Sequence, residues 1–239
     1  MDPNFDSLER LVPDGVQPGT LGTETLLLHL ARYEFAASLL KPGRVLDIAC
    51  GAGYGTQLLA RRGQGSVEAV GVDISPVAID YAKQRYSDAR TSFVVAEATA
   101  YRADPFDTIV SLETLEHLAE PARFFSGLFL LLKPGGTLVA SVPTILSTDV
   151  NPHHLHDFSE ASLRRLGAAN GLVEVSCLRQ RQPFRPVSLL LRREARSKNL
   201  RANLPSYYLR HPRMLLCRAW STARHGFSNS YLTVAWRRA

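Results

Sequence analysis

The chain has 239 residues, enough to bury one α/β core with a small addition, and its apolar and charged fractions are those of an ordinary globular protein. No apolar run approaches bilayer-spanning length, and the opening Met1-Asp2-Pro3-Asn4 lacks the apolar stretch of a secretory signal. The three cysteines (Cys50, Cys177 and Cys217) show no metal-binding or disulfide spacing, so a reducing cytoplasm is the expected compartment. The net charge of +6 is local: residues 179–229 hold twelve Lys/Arg against the single acid Glu194, while the rest of the chain holds 16 basic and 21 acidic side chains.

Residues 1–20 read as a leader rich in Pro, Gly and Asp, followed by a helix from Thr23 to Leu40 that Pro42-Gly43 ends. Strands and helices then alternate: strand 44–48, helix 54–62, strand 67–73, helix 76–86, and strands 91–96 and 106–111. A helix over 121–132 is expected to stop at Lys133-Pro134-Gly135-Gly136, with strand 137–142 after it. Helix 159–168, strand 172–178, the basic segment and strand 230–236 complete the chain. Such alternation predicts a Rossmann-like, mostly parallel sheet of seven strands with helices on both faces. The expected organisation is a leader and capping helix (1–43), a cofactor-binding core (44–178), a basic insertion (179–229) and a final core strand (230–239).

The run Val45 to Gly55 ends an apolar strand in Asp47-Ile48-Ala49-Cys50-Gly51-Ala52-Gly53-Tyr54-Gly55, and Val70-Gly71-Val72-Asp73 follows about twenty residues on. A strand, a glycine turn, a helix and a second strand ending in an acid form a unit that approaches a nucleoside, with Asp73 placed for both ribose hydroxyls. Glycines 51, 53 and 55 are expected to permit the tight turn and to clear Cβ atoms from the ligand's path. Dinucleotide-binding loops prefer G-x-G-x-x-G. Here the spacing is G-x-G-x-G with Asp47 just before it, which suits a cofactor without phosphates better than a pyrophosphate.

Five motifs in order extend this reading: DIACGAGYG at 47–55, VGVDIS at 70–75, AEAT at 96–99, FDTIVSLETLEHL at 106–118 and LLKPGGTLVASVP at 131–143. On these the chain resembles the class I S-adenosylmethionine-dependent methyltransferases from about residue 44 to 178. The resemblance implies S-adenosylmethionine as cofactor, with its amino-acid portion passing Gly51 and Gly53 and positioned with help from Asp47. It further implies Asp73 on the ribose, Ile74 against the adenine, Glu97 or the Ala98 backbone at the adenine edge, and Ser111 and Leu112 beside the methionine. Tyr33 and Tyr54 are candidates to cover the sulfonium or bind the carboxylate; filling the core edge is the alternative for both.

For the acceptor, Glu113, Glu116 and His117 form E-x-x-E-H after the fourth strand, and helical spacing would put them on one face. After the fifth strand comes Asn151-Pro152-His153-His154-Leu155-His156-Asp157. The run is similar to that of the ubiquinone-biosynthesis-type O-methyltransferases. It is also similar to the small-RNA 3′-terminal 2′-O-methyltransferases, which add a histidine after the fifth strand, the place His154 takes here. That resemblance implies a divalent ion (Mg²⁺, or Mn²⁺ or Zn²⁺) on Glu113, Glu116, His117 and His154, gripping adjacent oxygens of the acceptor. His117, His154 and His156 are then the candidate catalytic residues. A purely structural loop is the competing reading.

The function expected is O-methylation of a small molecule, such as a secondary metabolite, a glycan or a lipid-linked, anionic precursor. The alternatives are RNA 2′-O-methylation and a non-catalytic cofactor-binding protein. Ser188 to Leu204 reads as a basic amphipathic helix, and Tyr207, Tyr208 and Trp220 follow, interleaved with Arg210, Arg213, Arg218 and Arg224. The segment suits RNA phosphates, a phosphate-bearing substrate, a peripheral membrane contact through 188–204, or a lid or dimer helix.

Overall fold

The computed structural model describes residues 12–13, 21–63, 67–183, 201 and 203–239. The elements are α1 (Leu21–Ala37), β1 (Gly43–Ile48), α2 (Tyr54–Arg62), β2 (Val67–Asp73), α3 (Pro76–Tyr86), β3 (Thr91–Val95) and β4 (Phe106–Leu112). A 3₁₀ turn (Leu115–His117) precedes α4 (Pro121–Leu131), β5 (Leu132–Pro143), α5 (Glu160–Ala169) and β6 (Leu172–Pro183). Two helices, α6 (Leu204–Arg210) and α7 (Pro212–His225), lead into β7 (Ser228–Arg238).

The strands form one seven-stranded sheet in the order β3-β2-β1-β4-β5-β7-β6, in which only β7 runs antiparallel to its neighbours. The central strands are buried on both faces, so they read as continuous apolar runs. In β1, Val45 packs toward α1 and α2 with Leu59 and Ala60. Leu46 and Ile48 pack the other way, with Phe125 and Leu128 of α4 and Leu163 of α5. The order reverses between β1 and β4, so the carboxyl ends of these two strands flank the crevice where such sheets take ligands.

α2, β2 and α3 begin and end where the sequence pattern puts them. Ser75 caps α3 by accepting from the Ala78 amide, and Pro76 follows at the first turn. β5 starts sooner than expected. Leu132 pairs with Phe106, the next pairing is Thr137 with Thr108, and the intervening Lys133-Pro134-Gly135-Gly136 bulges out. The bulge is held by Lys133 Nζ donating to Asp107 at 2.8 Å.

β6 and β7 also outrun expectation, pairing from Leu172 with Arg238 to Pro183 with Ser228, so the sheet absorbs both ends of the basic segment. The rest of that segment, where described, is α6 and α7. The expected leader, apart from Val12 and Pro13, lies outside the described residues. So does the expected basic helix over 188–204, apart from Arg201, Asn203 and Leu204. Leu204 opens α6 behind Asn203, a left-handed N-cap.

Under the glycine turn, Asp47 is buried and accepts from Thr56 Oγ1 (2.6 Å) and from Tyr33 Oη (3.3 Å to each oxygen). Burial dominates: it pushes the carboxyl from 3.8 up to about 7, against the two hydroxyl donors. The fold therefore prefers the protonated form, and stability held in acid is lost as pH rises from about 4 to about 7, on the order of 4 kcal/mol. Asp47→Asn should flatten that slope, so that its thermal midpoint equals or exceeds the parent's at neutral pH. An unchanged slope would show that other groups carry it.

Candidate functional site

The turn after β1 closes through Cys50 N donating to Val72 O, with Ala49, Gly51 and Gly53 at positive φ. The three glycines divide their roles. A Cβ on Gly51 would meet nothing within 4 Å, so this residue supplies conformation at the cleft wall. A Cβ on Gly53 would lie 2.7 Å from the Phe93 ring, and one on Gly55 would lie 1.9 Å from the Tyr33 ring. Gly53 and Gly55 thus let α2 settle against α1 and β3. Of the three glycines expected to clear a ligand's path, only Gly51 lines the cleft.

A cleft of about 290 Å³ opens at the carboxyl ends of β1, β2 and β4. Gly51, Tyr54, Asp73, Ile74, Glu97 and Ala98 line one end, and Leu112, Glu113, Thr114 and His117 line the other. Tyr33 also lines it, edge-on to Tyr54 with ring centroids 5.8 Å apart. Asp73 is fixed across the turn, one oxygen accepting from Gly51 N (3.0 Å) and the other from Ser75 N (2.8 Å). Glu97 accepts from the Thr99 hydroxyl. Asp47, Gly53 and Ser111 do not line the cleft. Asp47 buttresses the turn, and Ser111 is fully buried beneath it.

After β4 the chain does not continue as a helix from Glu113. Glu113 takes φ 51°, and only Leu115–His117 form a 3₁₀ turn. The i, i+3, i+4 face expected of Glu113, Glu116 and His117 is therefore not formed. Glu113 instead accepts from Ser141 Oγ (2.8 Å) and faces the buried Arg32 guanidinium at 3.5 Å. Arg32 is 1% exposed, donates to Gln180 (2.8 Å) and stacks on Tyr231 at 4.3 Å.

Sequence reasoning missed Arg32, although it sits on the same helical stripe as the apolar Tyr33 and Ala36. A lone cation on a buried face signals an acid partner elsewhere. It also missed His29, which lines the cleft from α1.

Glu116, His117 and His154 converge, each offering a ligand atom within 4.8 Å of the others. Glu116 is fully buried, and neither carboxylate oxygen has a hydrogen-bonding partner. Burial, then the charge of Glu113, raises its pKa well above the carboxylate range. His117 Nδ1 donates to the carbonyl of His153 (3.2 Å), and His154 Nδ1 bonds Ser147 Oγ (2.8 Å). Such outer partners orient histidine ligands. Burial, then His117, lowers His154 to about 4, keeping it neutral and able to ligate.

The loop folds here because the amides of Leu155 and His156 donate to the Glu116 carbonyl (2.8 and 3.3 Å). Asp157 fastens its base by accepting from the Ser147 and Thr148 amides. His156 does not line the cleft, and its Nε2 is buried without a partner.

One carboxylate and two imidazoles suit a divalent transition metal or Zn²⁺, and the orphaned Glu116 oxygens are what such an ion would satisfy. The residues fit a metal, with Glu113 committed elsewhere.

Comparison with known proteins agrees with this fold. Residues 46–140 match the family model described as "Methyltransferase domain". A ubiquinone biosynthesis O-methyltransferase of Cereibacter sphaeroides is 34% identical over 102 residues, covering 41% of this chain and 40% of that protein. The chain therefore spans less than half the length of such curated relatives.

The YcgJ protein from Bacillus subtilis superposes with a TM-score of 0.64 at 18% identity, covering 88% of this chain and all of that one. The 4+2 cyclase SpnF does so with 0.61 at 18%, covering 94% and 85%. The latter shows that this fold carries more than one activity. The chain has the class I S-adenosylmethionine-dependent methyltransferase fold and is distantly related in sequence to the ubiquinone-biosynthesis O-methyltransferases.

Proposed function

We propose that the protein is an S-adenosylmethionine-dependent methyltransferase that methylates a hydroxyl of a small molecule held by a divalent cation. The observation that carries the reading is one cleft with two different ends. Asp73 and Glu97 stand at the nucleoside end, and His117, beside Glu116 and His154, stands at the other.

When bound, S-adenosylmethionine supplies a methyl carbon on sulfonium sulfur, which leaves as a neutral thioether. Asp73, held by two amides, would accept from the ribose hydroxyls, and Ile74 would cover the adenine. Leu112 and Tyr33 would flank the methionine portion, on the side of the cleft that His117 also lines. A divalent cation, when bound, favours the deprotonated form of an acceptor hydroxyl that touches it. Glu116, His117 and His154 would hold that ion, and their outer partners keep the two imidazoles oriented. The remaining work is alignment of oxygen, carbon and sulfur, which itself supplies a large part of such accelerations.

The test is transfer of labelled methyl from S-adenosylmethionine into a metabolite extract and into total RNA, with and without a chelator. Label in small molecules that falls at least tenfold on chelation, and returns with added Mg²⁺, Mn²⁺ or Zn²⁺, is expected. Label confined to RNA would replace the acceptor class, and chelator-insensitive transfer would remove the cation. Tight cofactor binding without any transfer would overturn the enzymatic reading.

A further inference from the structure

α7 is turned the wrong way round for a core helix. Its half-buried edge is Met214, Arg218, Ser221, Thr222 and His225, and none of its residues is buried. That edge is fastened by polar bonds. Arg218 donates to the Leu146 carbonyl and binds both oxygens of buried Asp149, Tyr208 of α6 donates to the same carboxylate, and Arg201 donates to the Thr148 and Asp149 carbonyls. The opposite face is apolar. Leu215, Leu216, Ala219, Trp220 and Ala223 fall on one side at i, i+1, i+4, i+5 and i+8 spacing. Leu216 is 70% and Trp220 71% exposed, with exposed Leu209 and Phe227 just before and after the helix. No described residue covers this face.

Charge indicates the occupant. Arg213 and Arg224 lie eleven residues apart, three helical turns, along the border of the apolar face next to Trp220. Arg210 stands just before the helix. All three are exposed, and none pairs with a described acid. Residues 195–239 contain no Asp or Glu at all. A second copy on this face would bring arginines against arginines. An RNA would find the two exposed rings, Trp220 and Phe227, set among leucines that offer its bases no hydrogen bonds. An apolar strip carrying Leu and Trp, edged with unpaired arginine, is the composition that lies in the boundary of an anionic bilayer.

We propose that α7, with the adjoining residues of α6, docks the protein on anionic membranes, its apolar face in the headgroup–acyl boundary and Arg210, Arg213 and Arg224 on lipid phosphates. The membrane contact expected from residues 188–204 is thereby assigned to 204–227, and it stands independently of the methyl-transfer reading.

The test uses the full chain and vesicles of phosphatidylcholine alone or mixed equally with phosphatidylglycerol. The chain has two tryptophans, and Trp236 is already buried, so a blue shift of emission on adding vesicles reports Trp220. Sedimentation and a blue shift with the anionic vesicles, both weakened by salt, are expected. Arg210→Gln/Arg213→Gln/Arg224→Gln should cut partitioning on the order of a hundredfold. Leu216→Ser/Trp220→Ser should abolish it while leaving the unfolding temperature unchanged, because both side chains are exposed.

Equal or absent binding to the two vesicle types would overturn the proposal. So would a dimer, seen by light scattering, that Leu216→Ser/Trp220→Ser dissolves, or pelleting with RNA but not with lipid.

Discussion

Asp73→Ala should weaken S-adenosylmethionine binding by on the order of a hundredfold or more. Two hydroxyl donors on one carboxylate contribute about 1.5–3 kcal/mol each, and every 1.4 kcal/mol is about tenfold in affinity. The loss is enlarged because Asp73 is oriented before any ligand arrives, by the Gly51 and Ser75 amides. Alanine leaves those two amides unpaired, so a drop in stability of about 1–3 kcal/mol should accompany the lost affinity. Asp73→Asn separates the two effects: one acceptor oxygen remains to hold the turn, while the bidentate grip on the ribose is gone. Titration calorimetry on both variants, with unfolding curves alongside, decides the matter. A folded Asp73→Ala protein that binds within threefold of the parent would dismiss the proposed place of the cofactor.

Glu116→Met should do two opposite things. In the metal-free protein it should raise the thermal midpoint by ~2–10 °C, because a carboxyl buried without a hydrogen-bonding partner costs about 1–3 kcal/mol and methionine fills a similar volume without that cost. It should also abolish the stabilisation that Mn²⁺ or Zn²⁺ gives the parent, and with it turnover. Loss of an outer partner such as Ser147 is expected to cost only about 10–100-fold in metal affinity. Glu116→Gln, still polar and still without a hydrogen-bonding partner, should gain no stability. A cation that stabilises Glu116→Met as much as the parent would place the ion elsewhere. A fall in the metal-free midpoint would show that the Glu116 carboxyl is satisfied by an interaction the static geometry does not display.

These two substitutions lie on opposite sides of what the sequence makes legible. The end of the cleft around Gly51 and Asp73 is a local object. Asp47, the glycine turn and Asp73 fall within 27 residues, and the periods of β1, α2 and β2 fix which side chains emerge at the strand ends. The end around Glu116, His117 and His154 is legible only as residue types. Glu116 and His154 are 38 residues apart and meet because the loop after β5 folds back onto the Glu116 carbonyl, a contact no periodicity announces. Glu113 belongs to the same written motif, yet a left-handed backbone and the distant pair Arg32 and Ser141 take its carboxylate away.

The sequence by itself determined the alternation of strands and helices, the limits of α2, β2 and α3, the glycine turn with its two flanking acids, and the confinement of positive charge to one late segment. Each is set by neighbours a few residues away, through side-chain period, capping and turn chemistry. The tertiary structure alone decided that Gly53 and Gly55 serve packing while Gly51 walls the cleft. It alone decided that β6 and β7 zip together for their full length, that Arg32 answers Glu113, and that α7 faces its apolar side outward. Those outcomes depend on which surfaces meet across long stretches of chain. A helix carrying both leucines and arginines can bury either side, and here the Asp149 carboxylate, waiting on a loop 69 residues before Arg218, chose the polar one.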